Sequence, residues 1–268
     1  MLTIAGLGLI VGIVLALTGA GGGILAVPLL IFGVGLGVVQ AAPIGLLAVG
    51  MAAALGAGLG LKAGTVRYKA ALLMAAVGIL FSPLGLWLAS RMDNRWLSLL
   101  FALVLLWVAY QSFRQPQGRS AVRAPGGTGA SPLPCVRDAA TGRFIWTKPC
   151  AVALGLSGTV AGFLSGLLGV GGGFVLVPTL QRFTDLAMQS VVATSLAVIA
   201  LVSVSGVISS AVAGHLNWAI AMPFCVGALA GMMGGRLIAD RLAGPQLQKG
   251  FALVSALVAL AMIVKVAD

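Results

Sequence analysis

Long apolar runs, separated by short polar connections, fill almost the whole chain. Nearly uncharged windows of about 18 residues or more predict helices that span a membrane. Six such runs are uninterrupted and cover residues 41–61, 70–90, 96–113, 187–213, 217–235 and 246–264. Two further runs, 2–31 and 149–180, are equally apolar but carry clustered glycines. The pattern predicts an all-α integral membrane protein of eight hydrophobic segments.

The two glycine clusters are copies of one another. Residues 18–28 read TGAGGGILAVP and residues 168–178 read LGVGGGFVLVP, at an offset of 150 residues. The same offset aligns Arg91 with Arg241 and the sequence FALV at 101–104 with FALV at 251–254. The chain is therefore predicted to hold two homologous transmembrane repeats, residues 1–113 and 148–268, each with about four hydrophobic segments and a first segment broken at glycine.

The stretch between the repeats, residues 114–147, is rich in Arg, Pro and Gly, which predicts a flexible linker. If every broken segment crosses the membrane once, the linker side of the membrane carries ten Lys and Arg against six on the other side. If each broken segment instead enters and returns, the repeats are inverted and the distribution becomes thirteen against three. The positive-inside rule favours the second topology, with inverted repeats, a cytoplasmic linker and both termini outside. The first topology also places the linker in the cytoplasm but puts the termini inside.

Composition agrees with a membrane domain and leaves no room for a sizeable soluble one. Of 268 residues, 60% are apolar and 8% are charged, and the mean hydropathy is +1.13. The net charge of +11 lies in the loops, as a topology signal does, and does not indicate nucleic-acid binding. Met1 to Ile4 supply no positive region before the first apolar run, so no cleavable signal peptide is predicted.

The three cysteines, Cys135, Cys150 and Cys225, are widely spaced and form no C-x-x-C pattern. This spacing argues against a disulfide framework or a zinc site. We expect small apolar core residues and one loop thiol.

Glycine clusters inside a membrane segment break the helix and leave backbone amides without partners. Such a helix start binds anions, because its free N–H groups carry partial positive charge. The following proline donates no hydrogen bond and suits the first turns of a restarting helix. The candidate substrate-binding residues are Gly19, Gly21, Gly22, Gly23 and Pro28 in the first copy and Gly169, Gly171, Gly172, Gly173 and Pro178 in the second. The alternative is that the glycines only allow helices to pack closely.

Hydroxyl groups on the segment after the second copy are further candidates, since they can donate to anionic oxygens. Thr194 and Ser195 come first, followed by Ser203, Ser205, Ser209 and Ser210. The first repeat has Ile44 and Gly45 at the positions of Thr194 and Ser195. The alternative for each hydroxyl is a purely structural hydrogen bond to the carbonyl one turn earlier in the same helix.

Several chemistries have no residues to carry them. The chain has no Glu, and its five Asp residues fall in loops, at segment ends or at the terminus, so neither a proton relay nor an acidic cation filter is indicated. The single histidine, His215, is expected in an interfacial loop. No nucleophile and base pair, metal cluster or nucleotide-binding motif is visible, so neither an enzyme nor a cofactor is predicted.

Five stretches carry a resemblance to a known family: GAGGGILAVPLL at 19–30, LGVGGGFVLVPTL at 168–180, ATSL at 193–196, AGHLNW at 213–218 and GGRLIADRL at 234–242. They resemble the sulfite exporter TauE/SafE family, also described as the 4-toluene sulfonate uptake permease family, over both repeats. The resemblance implies a multi-pass permease of the bacterial inner membrane for sulfite, sulfonates or related organic anions. Where the family usually reads GTSL in the first repeat, this chain has Pro43, Ile44, Gly45 and Leu46.

The leading hypothesis is an anion permease that works by alternating access and binds its substrate at the paired glycine breaks. Its expected partners are the lipid bilayer and a small anion, with homo-oligomerisation left open. The rival hypotheses are a non-transporting scaffold or assembly factor, in which the glycines only pack helices, and a cation channel that depends on the Asp residues.

Overall fold

The computed structural model describes residues 1–19, 21–114, 135, 147–184, 186–212, 217–242 and 245–267. The predicted linker 114–147 lies outside these residues except at Arg114, Cys135 and Thr147, and His215 lies outside them too. Ten helices form in the described ranges: α1 Leu2–Thr18, α2 Gly21–Val34, α3 Val38–Lys62, α4 Tyr68–Arg91, α5 Asn94–Arg114, α6 Lys148–Leu168, α7 Gly173–Phe183, α8 Met188–Val212, α9 Trp218–Leu242 and α10 Pro245–Ala267.

The helices agree with the predicted all-α membrane protein. In the described part of the chain, five helices are long and apolar enough to cross a membrane: α3, α4, α6, α8 and the segment Trp218–Leu237 of α9. Shorter apolar stretches lie at Leu2–Thr18, Gly22–Val34, Asn94–Tyr110 and Leu253–Val264. Each uninterrupted apolar run forms one helix, whereas each glycine-containing run forms two.

The two helices of each glycine-containing run pack against one another in opposite directions. At the start of α2, a Cβ added at Gly22 would lie 2.5 Å from the Leu15 Cβ, and near its end a Cβ at Gly33 would lie 2.5 Å from Cδ1 of Leu7. As the chain advances along α2, its partners therefore move back along α1. Together α1 and α2 form the first hairpin, and α6 and α7 form the second.

Glycines also bring neighbouring helices into backbone contact. A Cβ at Gly12 of α1 would overlap the Ala228 carbonyl oxygen of α9, and a Cβ at Gly162 of α6 would overlap the Gly78 carbonyl oxygen of α4. Positions 12 and 228 correspond to 162 and 78 at the offset of 150 residues. The same correspondence relates the contact of Gly8 with Phe224 to that of Gly158 with Met74. The pair α1 and α9 thus packs as its counterpart, α6 and α4, does.

The cysteines differ from the sequence-based expectation. Cys135 and Cys150 form a disulfide, so the prediction of isolated thiols is wrong for these two residues. The Cys135 amide also donates to the Phe183 carbonyl at 3.2 Å. Because this one residue contacts both the beginning of α6 and the end of α7, the two ends of the second hairpin lie together. A spacing of 15 residues carries no signal for this pairing, which arises from the tertiary fold. Cys225 is a buried free thiol on α9, as expected for a core residue.

Replacement of Gly162 by Ala tests the close contact between α6 and α4. The added methyl group would overlap the backbone of Gly78, so we expect a loss of about 1–3 kcal/mol of stability, as overpacking generally causes. Thermal unfolding in detergent measures the change. Gly155→Ala is the matched control, because it lies on the same helix and has nothing within 4 Å of an added Cβ. Equal destabilisation by both variants would contradict the contact.

Candidate functional site

Both hairpins turn on glycines in the left-handed region of the backbone map. Gly19 ends α1 with φ 71° and Gly169 ends α6 with φ 68°. In the second turn, Gly171 and Gly172 also have positive φ, at 79° and 65°. A side chain in this conformation costs about 1–2 kcal/mol per residue, which explains why glycines occupy these positions. We call residues 19–23 the first break and residues 169–173 the second break.

The two breaks lie against each other in the interior. A Cβ added at Gly23 of the first break would overlap the carbonyl oxygen of Val170 in the second. Gly169 is covered by Ala42 of α3, whose Cα would lie 2.5 Å from an added Cβ. Glycine at these positions therefore allows the turns of the two hairpins to meet backbone to backbone.

Three backbone amides of the second break have no hydrogen-bond partner among the described residues. The Gly169 amide donates to the Ser165 carbonyl at 2.9 Å, and the Val175 amide donates to the Gly172 carbonyl at 3.1 Å. Between them, the amides of Gly171, Gly172 and Gly173 donate to no backbone carbonyl in the described part of the chain. Helix α7 begins at Gly173, so these amides lie at the positive end of its dipole.

A cavity of about 330 Å³ leads to the second break. Its walls come from α3, α4, α5, α6 and α8, and Gly166, Leu167 and Gly169 belong to its lining. Most of the lining is apolar, and the hydroxyl groups in it are those of Ser90, Ser209 and Ser210. The remaining lining residues are Val39, Ala42, Pro43, Leu46, Pro83, Leu86, Trp87, Ala89, Leu97 and Gly206.

A cation lies beside this cavity. The guanidinium carbon of Arg91 is 4.4 Å from the ring centroid of Trp87, and Trp87 is one of the cavity's lining residues. A guanidinium group over an indole face is a favourable cation–π contact. The contact holds a positive charge beside a residue of the cavity wall.

Ser195 lies at the first break and Thr194 lies beside the beginning of α4, and neither lines the cavity. The Ser195 hydroxyl donates to the Gly19 carbonyl at 3.2 Å and to the Val192 carbonyl at 2.9 Å. Thr194 Oγ1 accepts from the Arg67 amide at 3.1 Å, which joins α8 to the beginning of α4. The hydroxyl proton of Ser195 is thus bound to protein oxygens, and Ser195 acts on the first break by fixing Gly19.

The other predicted residues take different places. Pro28 lies inside α2 and Pro178 inside α7, seven and five residues after the first residue of each helix, beyond the first turn. Gly21 begins α2, and Gly22 packs inside the first hairpin against Val11 and Leu15 of α1.

Sequence reasoning missed two serines near the second break. Ser82 and Ser165 are fully buried, and neither hydroxyl has a hydrogen-bond partner among the described residues. Ser203, one of the predicted hydroxyls, is in the same condition. Only helix rotation and packing distinguish these residues from ordinary helical serines, so the sequence carries no signal for them.

Long apolar helices packed around two facing glycine breaks define this chain as a multi-pass membrane protein, and its relatives make the class more specific. The chain belongs to the sulfite exporter TauE/SafE family, whose model matches residues 4–262. It is therefore a membrane transporter and not an enzyme.

Two curated relatives match most of the chain. It is 31% identical over 261 residues to a probable membrane transporter protein of Xylella fastidiosa (strain Temecula1), a match that covers 96% of this chain and 93% of that protein. It is 27% identical over 238 residues to the probable membrane transporter protein YunE of Bacillus subtilis (strain 168), with 86% and 84% covered. No solved structure matches.

Replacement of Ser195 by Ala tests how the first break is held. The Gly19 carbonyl would lose its hydrogen bond from the Ser195 hydroxyl on α8 and remain buried, so we expect a loss of about 1–3 kcal/mol in the free energy of unfolding. Denaturation in detergent measures this loss. Thr159→Ala is the control, because Thr159 bonds only within α6, to the Gly155 carbonyl. If the Ser195→Ala variant were no less stable than the Thr159→Ala variant, the hydrogen bond from Ser195 to Gly19 would make no measurable contribution to stability.

Proposed function

We propose that this transporter is a permease for small anions: sulfite, organosulfonates or related organic anions. It works by alternating access across the bacterial inner membrane, and it binds the anion where the two glycine breaks meet. The observation that carries the proposal is the set of unpaired amides at Gly171, Gly172 and Gly173. Amides at a helix start attract negative charge, and inside a bilayer no bulk water competes for them.

The charge inventory supports an anion over a cation. Of the five Asp residues in the sequence, the described ones are Asp93, between α4 and α5, and Asp240, near the end of α9. Neither lies in the middle of a helix, where a carboxylate would serve a cation pathway. The cation of Arg91 next to the cavity favours negative ligands.

We further propose that the repeats have inverted topology, with the linker in the cytoplasm and both hairpins re-entrant. The two antiparallel hairpins support this arrangement, because each returns its chain to the side from which it entered. The equivalent glycine contacts of α1 with α9 and of α6 with α4 support an internal two-fold relation. In inverted-repeat transporters, the substrate site lies where the broken helices of the two repeats meet.

The alternative is a membrane scaffold in which glycines serve packing alone. Backbone contacts at Gly12, Gly78 and Gly162 favour such a role for those residues. The rival hypothesis does not account for the cavity that extends to Gly169 of the second break, since close packing of helices does not require a cavity.

Gly171→Ala tests the proposed site. The new methyl group would lie 3.0 Å from Cγ2 of Ile199 and 3.5 Å from Cγ1 of Val49, and the residue has φ +79°. We expect anion flux in proteoliposomes to fall at least tenfold, because the methyl group and the strained turn disturb the amides. Flux is measured with sulfite, a sulfonate and a carboxylate, with and without a proton gradient.

Gly35→Ala is the matched control. Gly35 has nearly the same φ, +76°, but nothing within 4 Å of an added Cβ, so it carries the same backbone strain of about 1–2 kcal/mol away from the site. We expect it to keep its flux. Equal losses in both variants would assign the effect to stability, and wild-type protein that moves none of the anions would contradict the permease.

A further inference from the structure

Three buried hydroxyls on α4, α6 and α8 make no hydrogen bond to any described residue. Ser82 on α4, Ser165 on α6 and Ser203 on α8 are at most 1% exposed, and no described residue bonds to their Oγ atoms. Other hydroxyls in these helices bond to a carbonyl one turn earlier, as Ser157 does to Leu154 at 2.8 Å and Ser209 to Ser205 at 2.9 Å. An unpaired buried hydroxyl costs about 1–3 kcal/mol, so these three require an explanation. Ser255 on α10 is also unpaired and plays no part here.

Glycines lie opposite these hydroxyls. Ser203 Oγ is 3.3 Å from the position of a Cβ on Gly50 and 3.8 Å from that of a Cβ on Gly171. Ser82 Oγ is 3.7 Å from the position of a Cβ on Gly206, which lines the cavity. Glycine offers no side-chain acceptor, so these neighbours supply no partner to the two hydroxyls.

Ser165 adjoins the same wall of the cavity. It precedes Gly166, which lines the cavity, and its carbonyl accepts the Gly169 amide. Ser82 and Ser165 therefore lie beside two residues of the cavity wall, Gly206 and Gly166, and Ser203 lies beside Gly171 of the second break.

The first break has no such hydroxyls. At the offset of 150 residues, Ser165 corresponds to Leu15, Ser203 to Ala53 and Ser82 to Met232. All three counterparts are apolar and fully buried. Leu15 packs on Gly22, and the methyl group of Met232 lies close to Gly56. The related positions in the two repeats thus have opposite chemistry.

We infer that the anion is bound by the second break alone, through the hydroxyls of Ser82, Ser165 and Ser203 and the amides of Gly171–Gly173. This inference rests on the proposed permease function and makes it more specific. The first break has a structural role in this arrangement. Ser195 donates a hydrogen bond to its Gly19 carbonyl, and its Gly23 packs against the Val170 carbonyl of the second break.

The donor set also defines the ligand chemistry. Three hydroxyls and three amides offer hydrogen atoms from several directions without a fixed charge, which suits an anionic group with several acceptor oxygens. The apolar side chains of Leu46, Leu86 and Trp87 line the neighbouring cavity, to which we assign the uncharged part of the ligand. A bare halide would leave most of the donors unpaired.

Single replacements of Ser82, Ser165 and Ser203 by Ala test the inference. We expect the KM for the transported oxoanion to rise about tenfold for each hydroxyl removed, the usual effect of losing a hydrogen bond to a charged group. The melting temperature without substrate should stay the same or rise, because removal of an unpaired hydroxyl leaves no protein group without its partner. Ser157→Ala is the matched control: Ser157 is also a buried serine on α6, but its hydroxyl bonds to Leu154.

The possible outcomes separate this inference from the proposed function. Unchanged KM in all three serine variants, with normal wild-type flux and reduced flux in Gly171→Ala, would overturn the serine site but keep the permease. A fall in melting temperature that parallels the loss of flux would assign the serines a structural role and overturn the inference. Absence of flux in the wild-type protein would overturn both. A raised KM at unchanged stability, with a normal Ser157→Ala control, supports the inference.

Discussion

Backbone amides inside a bilayer have no water with which to form hydrogen bonds, so an unpaired amide there is costly unless another partner replaces the water. Glycine makes such an arrangement accessible, because only glycine adopts the left-handed turns at Gly169, Gly171 and Gly172 without strain. The remaining helices enclose these turns. The contacts of α4 with α6 and of α1 with α9 bring backbones together, and Ser195 holds the opposite turn in place.

The two halves of the chain share several packing contacts but differ in their polar groups. Equivalent glycines contact equivalent backbones, as Gly12 does at Ala228 and Gly162 at Gly78. Yet the hydroxyls of Ser165 and Ser203 have Leu15 and Ala53 as counterparts. Such a difference is compatible with similar packing, because the glycines permit the turns while the side chains around the turns set their polarity.

Much of the fold could be predicted from sequence because hydrophobic periodicity and glycine act locally. The apolar runs became helices, and the chain turns at the two glycine clusters. The antiparallel packing of each hairpin could only be offered as one of two topologies, since it depends on which side chains of α1 and α2 meet. The disulfide between Cys135 and Cys150 and the unpaired hydroxyls of Ser82 and Ser165 could not be predicted, because they depend on how distant segments rotate and pack.

The Cys135 bridge has a mechanical consequence. Cys135 forms a disulfide with Cys150 near the beginning of α6, and its amide donates to the Phe183 carbonyl at the end of α7. It therefore connects the two ends of the second hairpin that lie opposite its turn. The bond holds the beginning of α6 and the end of α7 together. A disulfide persists in an oxidising compartment and is reduced in the cytoplasm, so a cytoplasmic linker would leave these two helix ends without their covalent connection.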